Sequence, residues 1–447
     1  MLKKILSALA FSLMTCLIWA QNESEIIKSG WNIGPLPVVG WDSDLGLQYG
    51  AAVDFFNYGN GTNYPVYDYK INLELSAYTK GSANLRSYGD FKYLIPKGLF
   101  FYDCSYFNAK KYEFFGFNGT NNYYPGSNFA LKEIAGILTP DYSPYKTAFN
   151  NMHRNLFRAV VSIRKELIGN LNWAIGAAFY HYGIKESSIQ GTTDQTTLYN
   201  LYVNSGLIKE NEKNGGNITQ LRAGLIYDSR DHDSDPSKGF NIEAGLTMTP
   251  DIIDNRGYSH LGFTFIGCQY IPIMAEKAVL AYRVGVQSVI AGDIPWYFAS
   301  NINSMFFRKM YTEGLGGNSS LRGINRNAVM GKGLSWLNLE CRITVFRFNL
   351  INQNWKVATN PFFDAGTVID PLRGLEQKKA WSKVTGNSEL THNLIYSGLN
   401  ETIHKSAGLG IKLIMNRNMV ISAYMAKAFD YQDGESMKSN IGFNYLF

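Results

Sequence analysis

Residues 66–78 read Val66-Tyr67-Asp68-Tyr69-Lys70-Ile71-Asn72-Leu73-Glu74-Leu75-Ser76-Ala77-Tyr78. Tyr67, Tyr69, Ile71, Leu73, Leu75 and Ala77 fall on one face, and Asp68, Lys70, Asn72, Glu74 and Ser76 on the other. Successive side chains of a strand point to opposite faces, so this period of two predicts a strand with one apolar and one polar side. A soluble sandwich would turn the apolar side into a core. A transmembrane barrel turns it to lipid and lines a wet lumen with the polar side.

Working outward, residues 45–56 repeat the pattern, with Leu45, Leu47, Tyr49, Ala51, Val53 and Phe55 opposite Gly46, Gln48, Gly50, Ala52 and Asp54. At 218–228, Leu221, Ala223, Leu225 and Tyr227 face away from Gln220, Arg222, Gly224 and Asp228. Comparable segments lie at 31–41, 83–94, 98–107, 154–165, 171–185, 239–249, 258–270, 277–290, 336–348, 354–366, 402–416, 418–429 and 437–447. The total is about sixteen, and single-chain outer-membrane barrels have an even number of strands. The connections 108–153, 186–217, 250–257, 291–335, 367–401 and 430–436 are long and alternate with mostly tight ones, the asymmetry of external loops and periplasmic turns. Pro35 and Pro37 suit only a weakly paired edge, which places them at the seam between first and last strands. The chain closes on Gly442, Tyr445 and Phe447, an alternation that resembles the insertion signal of outer-membrane barrels.

The amino terminus, Met1-Leu2-Lys3-Lys4 followed by an apolar run from Ala8 to Ala20, reads as a secretory signal peptide over 1–20. Thr15 before Cys16, and the apolar Leu17-Ile18-Trp19 after it, argue against a lipid anchor at Cys16. Residues 21–30 form a short periplasmic segment and 31–447 the barrel. Past residue 21 no stretch reaches the roughly 18–20 apolar residues of a membrane helix. Only helices and closed barrels pair every backbone polar group within lipid, so an exported, strand-dominated chain with 29 Tyr and 27 Phe points to the outer membrane of a Gram-negative bacterium.

Charge narrows little. The 42 Lys+Arg and 36 Asp+Glu are dispersed, with no basic block for nucleic acid. Cys104, Cys268 and Cys341, odd in number and widely spaced, fit neither a disulfide framework nor a zinc site. Asp231, Asp233 and Asp235 alternate like a calcium loop, but Pro236 and Ile242 stand where that loop wants Gly and Glu. A tight turn led by Pro236 and Gly239 is expected instead, and no metal or other cofactor. The six histidines are scattered and Gly-x-Ser-x-Gly is missing, so no enzyme is expected.

Four motifs narrow the barrel further. Gly316-Gly317-Asn318-Ser319-Ser320-Leu321-Arg322-Gly323 resembles the loop-six motif of the BamA/TamA-type assembly barrels, the bacterial surface antigen family. Phe362-Phe363-Asp364-Ala365-Gly366 resembles that family's wall motif on strand thirteen. Asp228-Ser229-Arg230-Asp231 with Pro236 and Gly239 is similar to its turn between strands eight and nine, and Ser406-Ala407-Gly408-Leu409-Gly410 to its strand fourteen. The family's aromatic after Arg-Gly is Ile324 here. The resemblance covers most of the second half and implies a long external loop folded into the lumen. It also implies a strut in which the Arg322 guanidinium meets the Asp364 carboxylate, a bidentate pair able to hold a loop against its own entropy.

Members that handle client proteins carry soluble periplasmic repeats, for which 21–30 is too short. The expectation is a monomeric, barrel-only member acting in outer-membrane protein assembly or in polypeptide or lipid translocation through its lateral seam. Its partners would be outer-membrane lipid and lipopolysaccharide, the barrel-insertion machinery during biogenesis, and a separate periplasmic protein. The alternative is a plugged pore or structural barrel for small solutes, suggested by lumen charges such as Lys70, Glu74 and Arg222.

Overall fold

The computed structural model describes residues 28–447 apart from 63–66, 93, 187–194, 276, 304–313, 351–352, 385–387, 416, 418 and 444–445. The expected signal peptide 1–20, most of the segment 21–30 and Tyr445 therefore lie outside the described residues. Sixteen antiparallel strands close into one barrel. They are β1 (Trp31–Asp42), β2 (Gly46–Asn57), β3 (Tyr69–Tyr78), β4 (Ser82–Phe91), β5 (Gly98–Glu113), β6 (Asn151–Ile168), β7 (Leu171–Glu186) and β8 (Gly215–Asp228). They continue as β9 (Gly239–Thr249), β10 (His260–Met274), β11 (Ala278–Gly292), β12 (Gly333–Leu350), β13 (Gln353–Asp370), β14 (His404–Met415), β15 (Met419–Ala428) and β16 (Lys438–Phe443). Each neighbours the next in sequence, and β1 meets β16.

The faces are assigned as the period of two requires. In β8, Leu221 and Leu225 are 43% and 47% exposed on the outside, while Gln220 and Arg222 are 0% and 5% exposed within. In β3, Leu73 and Leu75 are exposed, and Asn72 and Ser76 are buried. This inversion of a soluble protein, apolar outside and polar inside, is what hydrocarbon solvent selects.

Three features depart from the sequence reading. β5 and β6 run beyond 107 and before 154, because their outer ends carry a packed lid. The outer loops also hold a three-stranded sheet (Phe129–Ile134, Ile137–Tyr142 and Gln195–Thr196) and short helices at Leu198–Asn204, Gly374–Trp381 and Glu389–Asn393. Such helices are too short to leave a periodic trace and are fixed by packing. Phe114, Phe117, Tyr202 and Trp296 form the aromatic centre of this lid, with Phe117 and Tyr202 edge to face at 5.0 Å. The Gln377 amide at its centre donates to the Phe117 and Ile395 carbonyls and accepts from Asn118. Third, β16 stops at Phe443 rather than at the chain end.

Closure is uneven. The β12–β13 ladder runs from Gly333–Asp370 to Leu350–Gln353. Between β1 and β16 the paired residues are Trp41–Ile441 and Asp42–Asn440 alone, among the described residues.

Candidate functional site: loop six, its wall and the seam

Loop six (293–332) joins β11 to β12, and its described part folds back into the lumen. Leu315 and Val329 exchange two backbone hydrogen bonds, making a small hairpin. Leu315, Leu321, Ile324 and Val329 are fully buried against Tyr270 of β10, Trp336 of β12 and Val368 of β13. Ile324, in place of the family's aromatic, is thus part of the apolar plug. Two glycines make the fold of the loop sterically allowed. Gly316 sits at φ +114°, and a Cβ there would lie 2.1 Å from the Asn325 carbonyl oxygen. A Cβ on Gly366 would lie 2.9 Å from both Leu315 and Leu321, so the wall glycine admits the loop's apolar side chains.

Arg322 is 1% exposed. Its Nε and Nη2 donate to the two Asp364 oxygens at 2.8 and 2.9 Å, and its backbone N–H donates to Asp364 Oδ2 at 2.9 Å. Nη1 donates to Glu340 Oε1 at 2.5 Å, and the guanidinium lies 3.5 Å from the Phe362 ring centroid. Glu340 in turn accepts from Arg342 Nε at 3.1 Å. A cation in a low-dielectric lumen needs this degree of satisfaction; removing one partner of a buried pair typically costs about 3–5 kcal/mol. Gly317 and Gly323 take φ of +83° and +91° on either side of the arginine turn, and Gly323 lies against β15.

Loop six also reaches the seam. Arg326 Nη2 and the Asn318 amide both donate to Asp42 Oδ2, at 2.7 and 3.0 Å. Asp42 Oδ1 meanwhile accepts the Asp44 and Leu45 backbone N–H groups. Beside it Lys438 pairs with Asp44 at 2.5 Å, and the Trp41 indole donates to Ser439 at 3.0 Å. These ties staple the outer end of the seam.

The carboxy terminus differs from the strand expected to run through 437–447. Phe447 is 9% exposed and belongs to the lumen cluster around Tyr270 and Trp336. Its carbonyl accepts from Arg342 at 2.7 Å, and the Arg283 and Arg342 guanidiniums lie 5.5 and 5.2 Å from its ring centroid. Past Phe443 no β1 ladder holds the chain among the described residues, so cation–π and apolar contacts decide where it ends. Gly442 stays within β16, with space for a Cβ.

The β8–β9 turn is not isolated either. Asp228 accepts from Arg230 Nε and Nη2 at 2.9 and 2.8 Å. Asp231 accepts from Ser237 and from Arg417 of the β14–β15 turn at 2.6 and 2.8 Å. Burial works against its ionisation, yet Ser237, Arg417 and backbone N–H groups hold the Asp231 carboxyl below the usual carboxylate range. Asp235 pairs with Lys356, and Pro236 is buried beside it. Gly239 takes φ +102° where a Cβ would meet the Ser229 carbonyl. The aspartates are committed to cations and amides, in keeping with a turn.

Sequence reasoning did not reach Glu340, Arg342, Arg326 or Asp42. Glu340 and Arg342 stand on the polar alternation of β12 with Asn338, a visible signal. The partnership of Asp42 with Arg326 across 284 positions has none.

The Omp85 superfamily domain matches residues 68–445. Among solved structures, BamA from Haemophilus ducreyi lacking POTRA domains 1–3 is similar at TM-score 0.56 and 18% identity, over 93% of this chain and 70% of that one. CdiB from Escherichia coli is similar at TM-score 0.52 and 9% identity, over 94% of this chain and 63% of that one, so this chain spans less than two thirds of CdiB. No curated protein matches the sequence. The closed sixteen-strand barrel with loop six in its lumen, together with a family match over most of the chain, identifies a member of the Omp85 superfamily, an outer-membrane β-barrel.

Proposed function

We propose that this barrel works at its β1–β16 seam, in outer-membrane protein assembly or in polypeptide or lipid translocation, alongside a separate periplasmic partner. The observation that carries the reading is the contrast between a two-pair seam and a loop-six plug locked to the wall by Arg322. A plug held by a bidentate, buried pair blocks the axial route, and a short ladder leaves the lateral one easiest to open. In this reading Arg322, Asp364 and Glu340 form the strut, and residues 1–20 are a leader removed on export.

The test is single-channel conductance of wild type and Arg322→Ala in planar bilayers. A small, noisy wild-type current that enlarges in the variant supports a plugged barrel of the assembly type. A large, steady current insensitive to the substitution supports the second reading, a solute pore, which the lumen charges Lys70, Glu74 and Arg222 favour.

A further inference from the structure

β1 lies beside the short-laddered seam, and its hydrogen-bonding phase can be read from its ends. Gly30 bonds to β2's continuation, donating to Gly59 O and accepting from Tyr58 N–H. Ser43 N–H, at the other end, donates to Ser439 O across the seam. Leu47 O accepts from Thr79 N–H, so the odd residues of β2 bond β3 and its even residues bond β1. All three observations agree. Even residues of β1 bond β2, and the odd residues, Trp31 to Trp41, aim their backbone groups at the seam.

Pro35 and Pro37 are odd. They occupy seam-facing positions, leave the β1–β2 ladder intact, and delete two adjacent donors from the open edge. The register set by Trp41–Ile441 would place Val39 opposite Phe443, yet the described pairing stops at Trp41. An incoming strand laid on this edge would find donors only at its two ends. In hydrocarbon every unmatched donor is costly, so the prolines also make the edge tolerable when left open.

The wall inside the edge is unlike the rest of the lumen. The lumen-facing residues along the middle of β1 are Gly34, Leu36, Val38 and Gly40, opposite Asp54, Ala52, Gly50 and Gln48 of β2. β1 is apolar there, and the two polar side chains of β2 are turned to β3, Asp54 to Lys70 and Gln48 to Ser76. Leu36 is 51% exposed. On the neighbouring β3 and β4 the same face carries Asn72, Glu74, Ser76 and Arg86. The outer face of β1 is apolar as well, with Trp31, Ile33 and Val39 exposed. An edge poor in donors and apolar on both faces is matched by an acyl chain and mismatched by a polypeptide backbone.

We propose that Pro35 and Pro37 set the specificity of the seam: it admits membrane lipid onto the inner wall of β1–β2 and rejects a β-strand. This rests on the seam being the working part of the barrel, as read above. The experiment places a benzophenone side chain at Val38 in barrels reconstituted into vesicles of phosphatidylethanolamine and phosphatidylglycerol with labelled acyl chains. A tagged synthetic peptide of residues 438–447 is the strand probe, and the same photoprobe at Gln220, buried on the lumen face of β8, is the reference.

Wild type is expected to label lipid at Val38 but not at Gln220, and to label the peptide weakly. Pro35→Val with Pro37→Val is expected to raise peptide labelling by about tenfold or more, the effect of two recovered hydrogen bonds. Leu36→Asn, which leaves every backbone bond in place, is expected to lower lipid labelling severalfold, and it serves should the proline variant fail to fold. Peptide labelling in wild type equal to that of the proline variant would overturn the specificity while leaving the seam in use. Lipid labelling unchanged by Leu36→Asn would also overturn it. No labelling by either probe would mean a shut seam, overturning both this inference and the function on which it rests.

Discussion

The β12–β13 wall and the β1–β16 seam are joints of the same closed sheet, yet they are built to opposite ends. The wall is paired over the full length of both strands and presents Asn338, Glu340 and Asp364 to loop six. Among the described residues the seam has two ladder pairs, and its side-chain ties lie at the outer end. Loop six touches both: Arg322 grips the wall, and Arg326 reaches the first strand four residues later. Backbone pairing spread along a strand resists local opening, whereas a few charged ties can be released one at a time. In the function proposed above, a continuous wall and a short seam bridged by one loop would give the barrel a single direction in which to open.

The largest expected effect tests the wall. Arg322→Ala leaves Asp364 buried without its cation and Glu340 with Arg342 alone, a loss of about 3–5 kcal/mol, and should expose residues 314–330 to protease in intact membranes. Exchanging Arg322 and Asp364 should restore protection only in part, because Glu340 would then face a carboxylate. Unaltered protection in the single variant breaks the comparison.

Phe447→Ala tests whether the chain end belongs to the lumen. Truncating a buried aromatic costs about 3–5 kcal/mol, and the estimate belongs at the low end because nearby Leu446 can settle into the space. The readout is the urea midpoint of barrels refolded in detergent, which separates this role from any in biogenesis. An unchanged midpoint would place the residue in insertion alone.

Asp42→Asn sharpens the seam side. It keeps the shape but removes the charge that Arg326 and two backbone N–H groups meet, worth about 2 kcal/mol. Hydrogen exchange at Ser43 should quicken while the wall amides of β12 stay protected. Equal quickening in both would mean that loop six carries no separate ties.

The smallest effect is at the outer rim of the wall. Glu401 accepts from Val368 and Thr120 backbone N–H groups and from His404. Burial opposes its ionisation, but these donors hold its pKa below the ordinary 4.5. A depressed carboxylate contributes stability that is complete above the unfolded value and lost as pH falls through the folded one. Proteolysis of loop 371–403 should therefore rise below about pH 4.5 in wild type. Glu401→Gln should raise it already at pH 7, by about 1 kcal/mol.

Strand number, faces and the order of loops and turns were legible because they are local. Each depends on a period of two and on punctuation by Gly, Asn and Pro. Arg322 and Asp364 could be named as a pair only through resemblance; nothing in their separation of 42 residues links them. The outer helices and the lid around Gln377 were invisible, since segments of five to eight residues take their form from what they pack against. The inward course of Phe447 contradicted the pattern of its own strand, because its cations come from β11 and β12.

The sequence alone determined a lipid-facing barrel and, through Pro35 and Pro37, an edge poor in donors, since side-chain alternation and a missing N–H are properties of the chain itself. The tertiary structure decided which edge those prolines face, that loop six is tied to wall and seam at once, and that the chain end lies inside. Those outcomes depend on register and on charges brought together from distant strands, and register becomes fixed only when the sheet closes.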